Sequence, residues 1–300
     1  MIEFDLAGPD KHLFKYCSLA TAKIVLETGQ LRWSRPTLFN DLYDSQFDLR
    51  TIENEEALQP RILERLWEFA NKPEHFRPEN SLGILHKWGA PAFVAMGKEA
   101  YFEAMADAVL EGIRRGKKSL PRFFKEIREL VARTKILCLS EDPLSTSLWG
   151  HYGDSGRSVV LEFCSIPVLD SPYSVAKKVL YLDEPPLLYD EDFFVDQMSG
   201  LQTYDGADIL QKMVFVKHSH WGLEREWRIA SGDGRLPDDP FEDVGFHPME
   251  LSSVLVGPRV TADQVDELRG LLHRRYLLTR IVQVEVGQGF DLILGKELPR

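Results

Sequence analysis

Apolar residues recur along this chain with two periods, and the switches between them mark out its elements. Leu13-Phe14-Lys15-Tyr16-Cys17 is a short apolar and aromatic run of the kind a strand requires. Ser18 then offers an N-cap to a segment with Ala22, Val25 and Leu26 at helical spacing, and Gly29 is placed to stop it. Residues 31–34 read as a second strand, broken by Arg35-Pro36, and Phe39-Asn40-Asp41 and Asp44-Ser45 carry turn chemistry. From 54 to 133 the texture is helical. Leu58, Ile62, Leu66 and Phe69 mark one amphipathic helix, and 100–113 and 123–132 mark two more, separated by Gly116 and Pro121. The basic cluster Arg114-Arg115 and Lys117-Lys118 fits a solvated helix end.

Residues 135–140 form a convincing buried strand. Asp142-Pro143 then suggests an N-cap followed by proline at the first helical position, opening a short helix over 143–152 that Gly153 and Gly156 end. Trp149 and Tyr152 lie three apart and share a face of that helix, where both are expected to pack it against the sheet. Alternation resumes over 157–163 and 178–182, a helix is expected near 207–216, and a strand over 252–257. A helix over 261–276 leads into a last strand over 281–286. Strands outnumber the helices that cover them and no regular strand–helix–strand repeat appears. The predicted fold is therefore α+β, a mixed and mostly antiparallel sheet core in one domain of residues 1–300, with a helical insertion at about 54–133.

The charged run over 223–230, LEREWRIA, changes this picture most. As a strand it puts Glu224, Glu226 and Arg228 on one face and Arg225, Trp227 and Ile229 on the other. Two carboxylates beside a guanidinium read either as a structural ion pair or as the lining of a cleft in which one carboxylate does chemistry. His151 either faces that cleft or faces water. Lys15, Tyr16, Ser34 and Asn40 sit at the ends of the first two strands and are expected to converge on one site.

Composition narrows the classes. Of 300 residues, 44% are hydrophobic and 28% charged, as in ordinary globular proteins, and a net charge of −11 argues against a broad duplex nucleic-acid footprint. The three cysteines are far apart with no C-x-x-C, which fits reduced thiols and no metal site. No apolar run approaches the roughly 20 residues of a membrane helix, and the acidic start MIEFDLAGPDKH lacks an apolar core, so a cytoplasmic protein without a signal peptide is expected. H-E-x-x-H, G-x-S-x-G and phosphate-loop motifs are absent.

Four motifs in order, FKYCSL, LFNDLYD, LWGHY followed by VVLEF, and WGLEREWR, resemble the bacterial family called domain of unknown function 2971. That resemblance spans nearly the whole chain, with the helical middle as its variable part. More loosely, a strand–helix–Gly–strand unit followed by a late E-x-E is similar to the ADP-ribosyltransferase fold. That likeness implies NAD as cofactor. It makes Glu226 the carboxylate that offsets positive charge at the ribose, Glu224 the residue that orients an acceptor, and Lys15 or Tyr16 the first-strand contact, where Arg or His is usual. Ser34 would be the second-strand serine. The expected site thus comprises Glu226, Glu224 and His151 as catalytic residues, with Lys15, Tyr16, Ser34, Asn40 and Arg228 binding the nucleotide. Three functions follow: an NAD-dependent transferase acting on a protein or nucleic acid in defence or toxin biology; a catalytically idle module binding a nucleotide or partner; or a hydrolase or nuclease with His151 as base and Glu226 or Asp44 on a metal.

Overall fold

The computed structural model describes residues 2–8, 10–152 and 156–299. The fold is α+β, with a mixed, mostly antiparallel sheet, and the chain divides into two compact units. One comprises Met1–Gln46, Leu130–Glu184 and Val214–Arg300; the other comprises Phe47–Glu129 and Pro185–Met213.

The first unit begins with β1 (His12–Cys17), α1 (Leu19–Thr28) and β2 (Gln30–Ser34). Ser18 caps α1 by accepting from the Thr21 amide, and Gly29 ends it in the left-handed conformation (φ 67°), which costs glycine nothing. β3 (Ile136–Ser140), the short helix α5 (Thr146–His151) and β4 (Val159–Cys164) follow. The predicted cap at Asp142 is not the start of α5. Asp142 Oδ1 accepts from the Leu144 amide in a turn of its own, and Ser145, three residues beyond Asp142, caps the helix. Gly153 lies outside the described residues; Gly156 adopts φ 86°.

The strand predicted over 178–182 is broken at Val179 into β5 (Lys177–Lys178) and β6 (Leu180–Leu182). The break lets β6 pair in parallel with β7 (Val216–His218) while β5 pairs with β8 (Glu226–Ala230). β9 (Phe241–Gly245), β10 (Leu251–Val256), β11 (Arg280–Val286) and β12 (Leu292–Leu298) complete the strands, with α8 (Ala262–Arg275) between β10 and β11. β11 is therefore not the last strand. β9 pairs with β2, and the large sheet runs β12-β11-β10-β4-β1-β3-β2-β9, with β8 along β3. Its apolar face buries Leu13, Leu31, Trp33, Leu137, Leu139, Leu161, Trp227 and Ile229 with residues of α1 and α8. A smaller cluster joins Leu148 and Trp149 of α5 to Phe14, Tyr16 and Val160 of the sheet.

The second unit is helical: α2 (Gln59–Asn71), α3 (Ser81–Met96), α4 (Lys98–Arg133), α6 (Glu191–Met198) and α7 (Gly206–Val214), of which α4 and α7 end in the first unit. α2 buries Ile62, Leu66 and Phe69 as its periodicity requires. The two helices predicted at 100–113 and 123–132 are one helix, α4, which carries Gly116 and Pro121 inside it. A proline removes one backbone hydrogen bond and costs about 3 kcal/mol in a helix interior. Tyr101, Val109, Ile113 and Val131, buried along the length of α4, offset that loss.

Candidate functional site

β3 carries the site because three strands compete for its two edges. β8 pairs with all five of its residues, Ile136↔Ala230 through Ser140↔Glu226. The other edge is shared: β1 meets it at Ser140 and β2 at Ile136, each through a single registered pair. Between those points the sheet is split. A buried carbonyl without a partner is costly, and at the split Lys15 reaches in from β1 and donates to the Cys138 carbonyl at 2.9 Å. A cavity of about 320 Å³ opens there, within the range of small-molecule sites. Lys15 and Tyr16 of β1, Arg32 and Ser34 of β2, Cys138 and Ser140 of β3, Asn40, Tyr152, Lys217, Glu224 and Glu226 all line it.

Alternation along β8 puts Glu226 and Arg228 on the face opposite Trp227 and Ile229, and that polar face is buried. Arg228 is fully enclosed. Its Nε and Nη2 donate to Glu226 at 2.8 and 2.9 Å, and Nη1 and Nη2 donate to Asp44 at 2.8 and 2.6 Å. Nη1 also donates to the Val214 carbonyl at 2.7 Å. Lys217 Nζ lies 2.6 Å from Glu224, 3.3 Å from Asp44 and 3.4 Å from Glu226. Three carboxylates thus face two cations. Burial alone would raise the Glu226 carboxyl, but the charges of Arg228 and Lys217 and the hydrogen bonds it accepts outweigh it and hold the group at about 2. Burial likewise works against the charge on Lys217, and Glu226 and Asp44 reverse it, so its ammonium is held charged. The Cys138 thiol beside them is pushed well up, by burial first and by Glu226 second.

The two glutamates therefore differ. Glu226 has each oxygen engaged by Arg228, and its amide donates to the Tyr181 hydroxyl at 2.8 Å. Glu224 lies outside the strand, on the 3₁₀ turn Ser219–Glu224, and Arg225 between them takes a left-handed φ of 44°. That conformation is uncommon for a residue with a Cβ and resets the direction of the chain, so strand alternation does not put Glu224 beside Glu226. Glu224 nevertheless reaches the cavity. Its Oε2 accepts from Lys217, and its Oε1 accepts from the Tyr152 hydroxyl at 3.1 Å. Asn40 donates to the same hydroxyl at 3.1 Å, and Ser140 Oγ donates to the Glu224 carbonyl at 2.7 Å. Ser45, next to Asp44, is also left-handed (φ 59°), so two strained residues flank the ion network.

Of the residues singled out from sequence, Lys15, Tyr16, Ser34, Asn40, Glu224 and Glu226 line one cavity. Tyr16 presents its ring; its hydroxyl donates to the Asp142 carbonyl at 2.6 Å and accepts from the Ser145 amide, tying down the turn before α5. Arg228 does not line the cavity; its donors are used on Asp44, Glu226 and the Val214 carbonyl, so it holds the two carboxylates and leaves none for a ligand. His151 is exposed and is not part of the lining, since it falls on the outer side of α5. Tyr152, expected to pack α5 against the sheet, is partly exposed and bridges Asn40 to Glu224, whereas Trp149 is buried. Lys217 and Arg32 escaped the sequence reading. Lys217 lies on a three-residue strand too short for a periodic signal, and Arg32 stands between Leu31 and Trp33 on β2, where an exposed charged residue is ordinary.

Among the described residues no three His, Cys, Asp or Glu side chains are arranged to hold a metal ion. No helix among them is long and apolar enough to cross a membrane. In comparisons with known proteins, no family model, curated protein or solved structure matches the chain.

Proposed function

We propose that the cavity binds NAD and transfers its ADP-ribose part to a protein or nucleic-acid acceptor, as the loose likeness to the ADP-ribosyltransferase fold implies. One observation carries this reading. A single cavity joins an ammonium with no carboxylate partner among the described residues, Lys15, to a carboxylate held by its neighbours but reachable from the cavity, Glu224. A nucleotide presents the matching pair, an anionic phosphate and a ribose rich in hydroxyl donors. About 320 Å³ suits a nucleoside-sized group with its adjoining phosphate, so the far half of a dinucleotide would extend beyond it.

The chemistry asked of the protein is electrostatic. When the bond between ribose C1′ and the nicotinamide nitrogen breaks, its electron pair leaves with nicotinamide and positive charge develops on the sugar. Asp44, Glu224 and Glu226 exceed Lys217 and Arg228 by one negative charge, and they are fixed in place before any ligand arrives. Such preorganised charge lowers the barrier without reorganisation. Glu224 is the carboxylate that meets the ribose hydroxyls or takes the proton of an incoming acceptor. Glu226, with both oxygens held by Arg228, fixes the field behind it. Tyr152 and Lys217 aim Glu224 from two sides.

A ligand that binds the native state alone raises its melting temperature. NAD and ADP-ribose are expected to raise that of the full chain, with ATP and divalent cations raising it less. No shift with either NAD or ADP-ribose would overturn the proposal. The engagement of both Glu226 oxygens favours a second reading, a nucleotide-binding module without turnover; that reading requires binding of NAD with no release of nicotinamide.

A further inference from the structure

Arg32 has no place in the chemistry above, yet it lines the same cavity. β2 meets β3 only at Ser34↔Ile136; continuing that register past the split would bring Arg32 opposite Cys138, whose carbonyl receives Lys15 from the β1 side. The two flanks of the split thus each supply one cation. They differ in what holds them. Lys15 is half-buried on a backbone carbonyl. Arg32 lies over the Phe241 ring at 3.7 Å and donates through Nε and Nη2 to its cross-strand neighbour Asp243, at 3.0 and 3.1 Å. The Arg32 and Asp243 side chains are 56% and 40% exposed. An ion pair so open to water is weakly held. A phosphoryl group accepts the same two-pronged guanidinium geometry as a carboxylate and carries more charge.

We propose that Arg32 is a second anion-binding side chain held in reserve by Asp243, and that a ligand carrying a diphosphate draws it from that carboxylate so that Arg32 and Lys15 clasp the two phosphoryl groups across the split. The choice of a diphosphate rests on the nucleotide reading of the cavity. It makes the substrate class a nucleoside diphosphate derivative, as opposed to a nucleoside or a monophosphate. It also makes Asp243 a competitor of the ligand, so the two partners of one ion pair have opposite effects.

Titration calorimetry of the full chain at low salt, with inorganic pyrophosphate, inorganic phosphate and ADP-ribose as probes, tests this. Pyrophosphate is expected to bind more tightly than phosphate and to compete with ADP-ribose. Arg32→Ala is expected to weaken pyrophosphate and ADP-ribose about tenfold, the size of one charge-assisted hydrogen bond. Asp243→Asn is expected to tighten both severalfold, a gain that a merely structural ion pair does not give. ADP-ribose binding that ignores Arg32→Ala would end the clasp and leave the nucleotide reading standing. Opposite effects of the two variants on pyrophosphate, with neither NAD nor ADP-ribose bound, would keep the clasp and end the nucleotide reading. Weaker binding in Asp243→Asn, or no pyrophosphate binding by the unaltered protein, would overturn the inference.

Discussion

Glu224 and Glu226 are two residues apart and answer differently to the same substitution. Glu226→Gln leaves Arg228 facing one carboxylate where it had two, in a fully buried setting. Breaking a buried pair from one side costs about 3–5 kcal/mol, so this variant is expected to melt well below the unaltered protein. Acid should act through the same group. Its carboxyl is near 4.5 when unfolded and about 2 when folded. A depressed folded value means stability that is fully present above pH 4.5 and is lost as pH falls toward 2, because the unfolded chain binds the proton first. Glu141 adds to the same window. Burial opposes its charge, but Lys11, the Trp227 indole and Lys178 hold it at about 2. Denaturant titrations between pH 7 and pH 2 should show this fall, shallower in Glu226→Gln; equal slopes in the two proteins would contradict the assignment. Glu224→Gln keeps volume and reach and leaves Lys217 still facing Asp44 and Glu226, so its melting temperature is expected to fall much less than that of Glu226→Gln.

At the scale of elements, α5 connects the core to the cavity. Trp149 is buried, its indole donates to the Pro143 carbonyl at 2.9 Å, and its ring meets Tyr16 edge-on at 5.7 Å. Gly257 passes so close that a Cβ there would stand 2.4 Å from the Gly156 carbonyl and 2.9 Å from the indole. Trp149→Ala is expected to cost roughly 3–5 kcal/mol by chemical denaturation; an unchanged stability would show that the helix is not anchored by that ring. Much of this level was legible in the sequence. Strong apolar periods locate β1, α1, β3 and β4, and Ser18 and Gly29 mark the cap and stop of α1. The errors have physical causes. β9 (FEDVG) and β12 (LILGKEL) offer polar or glycine-broken alternation, because each has side chains that stay outside the main core. α4 ignores its own proline because burial along its length outweighs one lost hydrogen bond. The left-handed turn at Arg225 has no sequence signal, since neither glycine nor asparagine marks it.

For the whole molecule, the charged face of β8 could be read from alternation, but what it faces could not. Asp44 and Arg228 meet across 184 positions, and Lys15 and Cys138 across 123. Local pattern holds no record of such pairings; the sharing of one edge of β3 by β1 and β2 is what brings Lys15 to Cys138. That split provides a place where cations and carboxylates meet in one pocket, and cleavage of the nicotinamide bond of NAD there, with Glu224 facing the sugar, is the function proposed for it. Nicotinamide release from NAD, followed over time in the unaltered protein and in Glu224→Gln, tests it most directly. Release is expected from the former and a loss of about 100-fold or more in the latter, measured where both proteins are fully folded, the scale on which preorganised transition-state contacts act. Equal release from both proteins, or none from the unaltered protein while ADP-ribose binds, would contradict it.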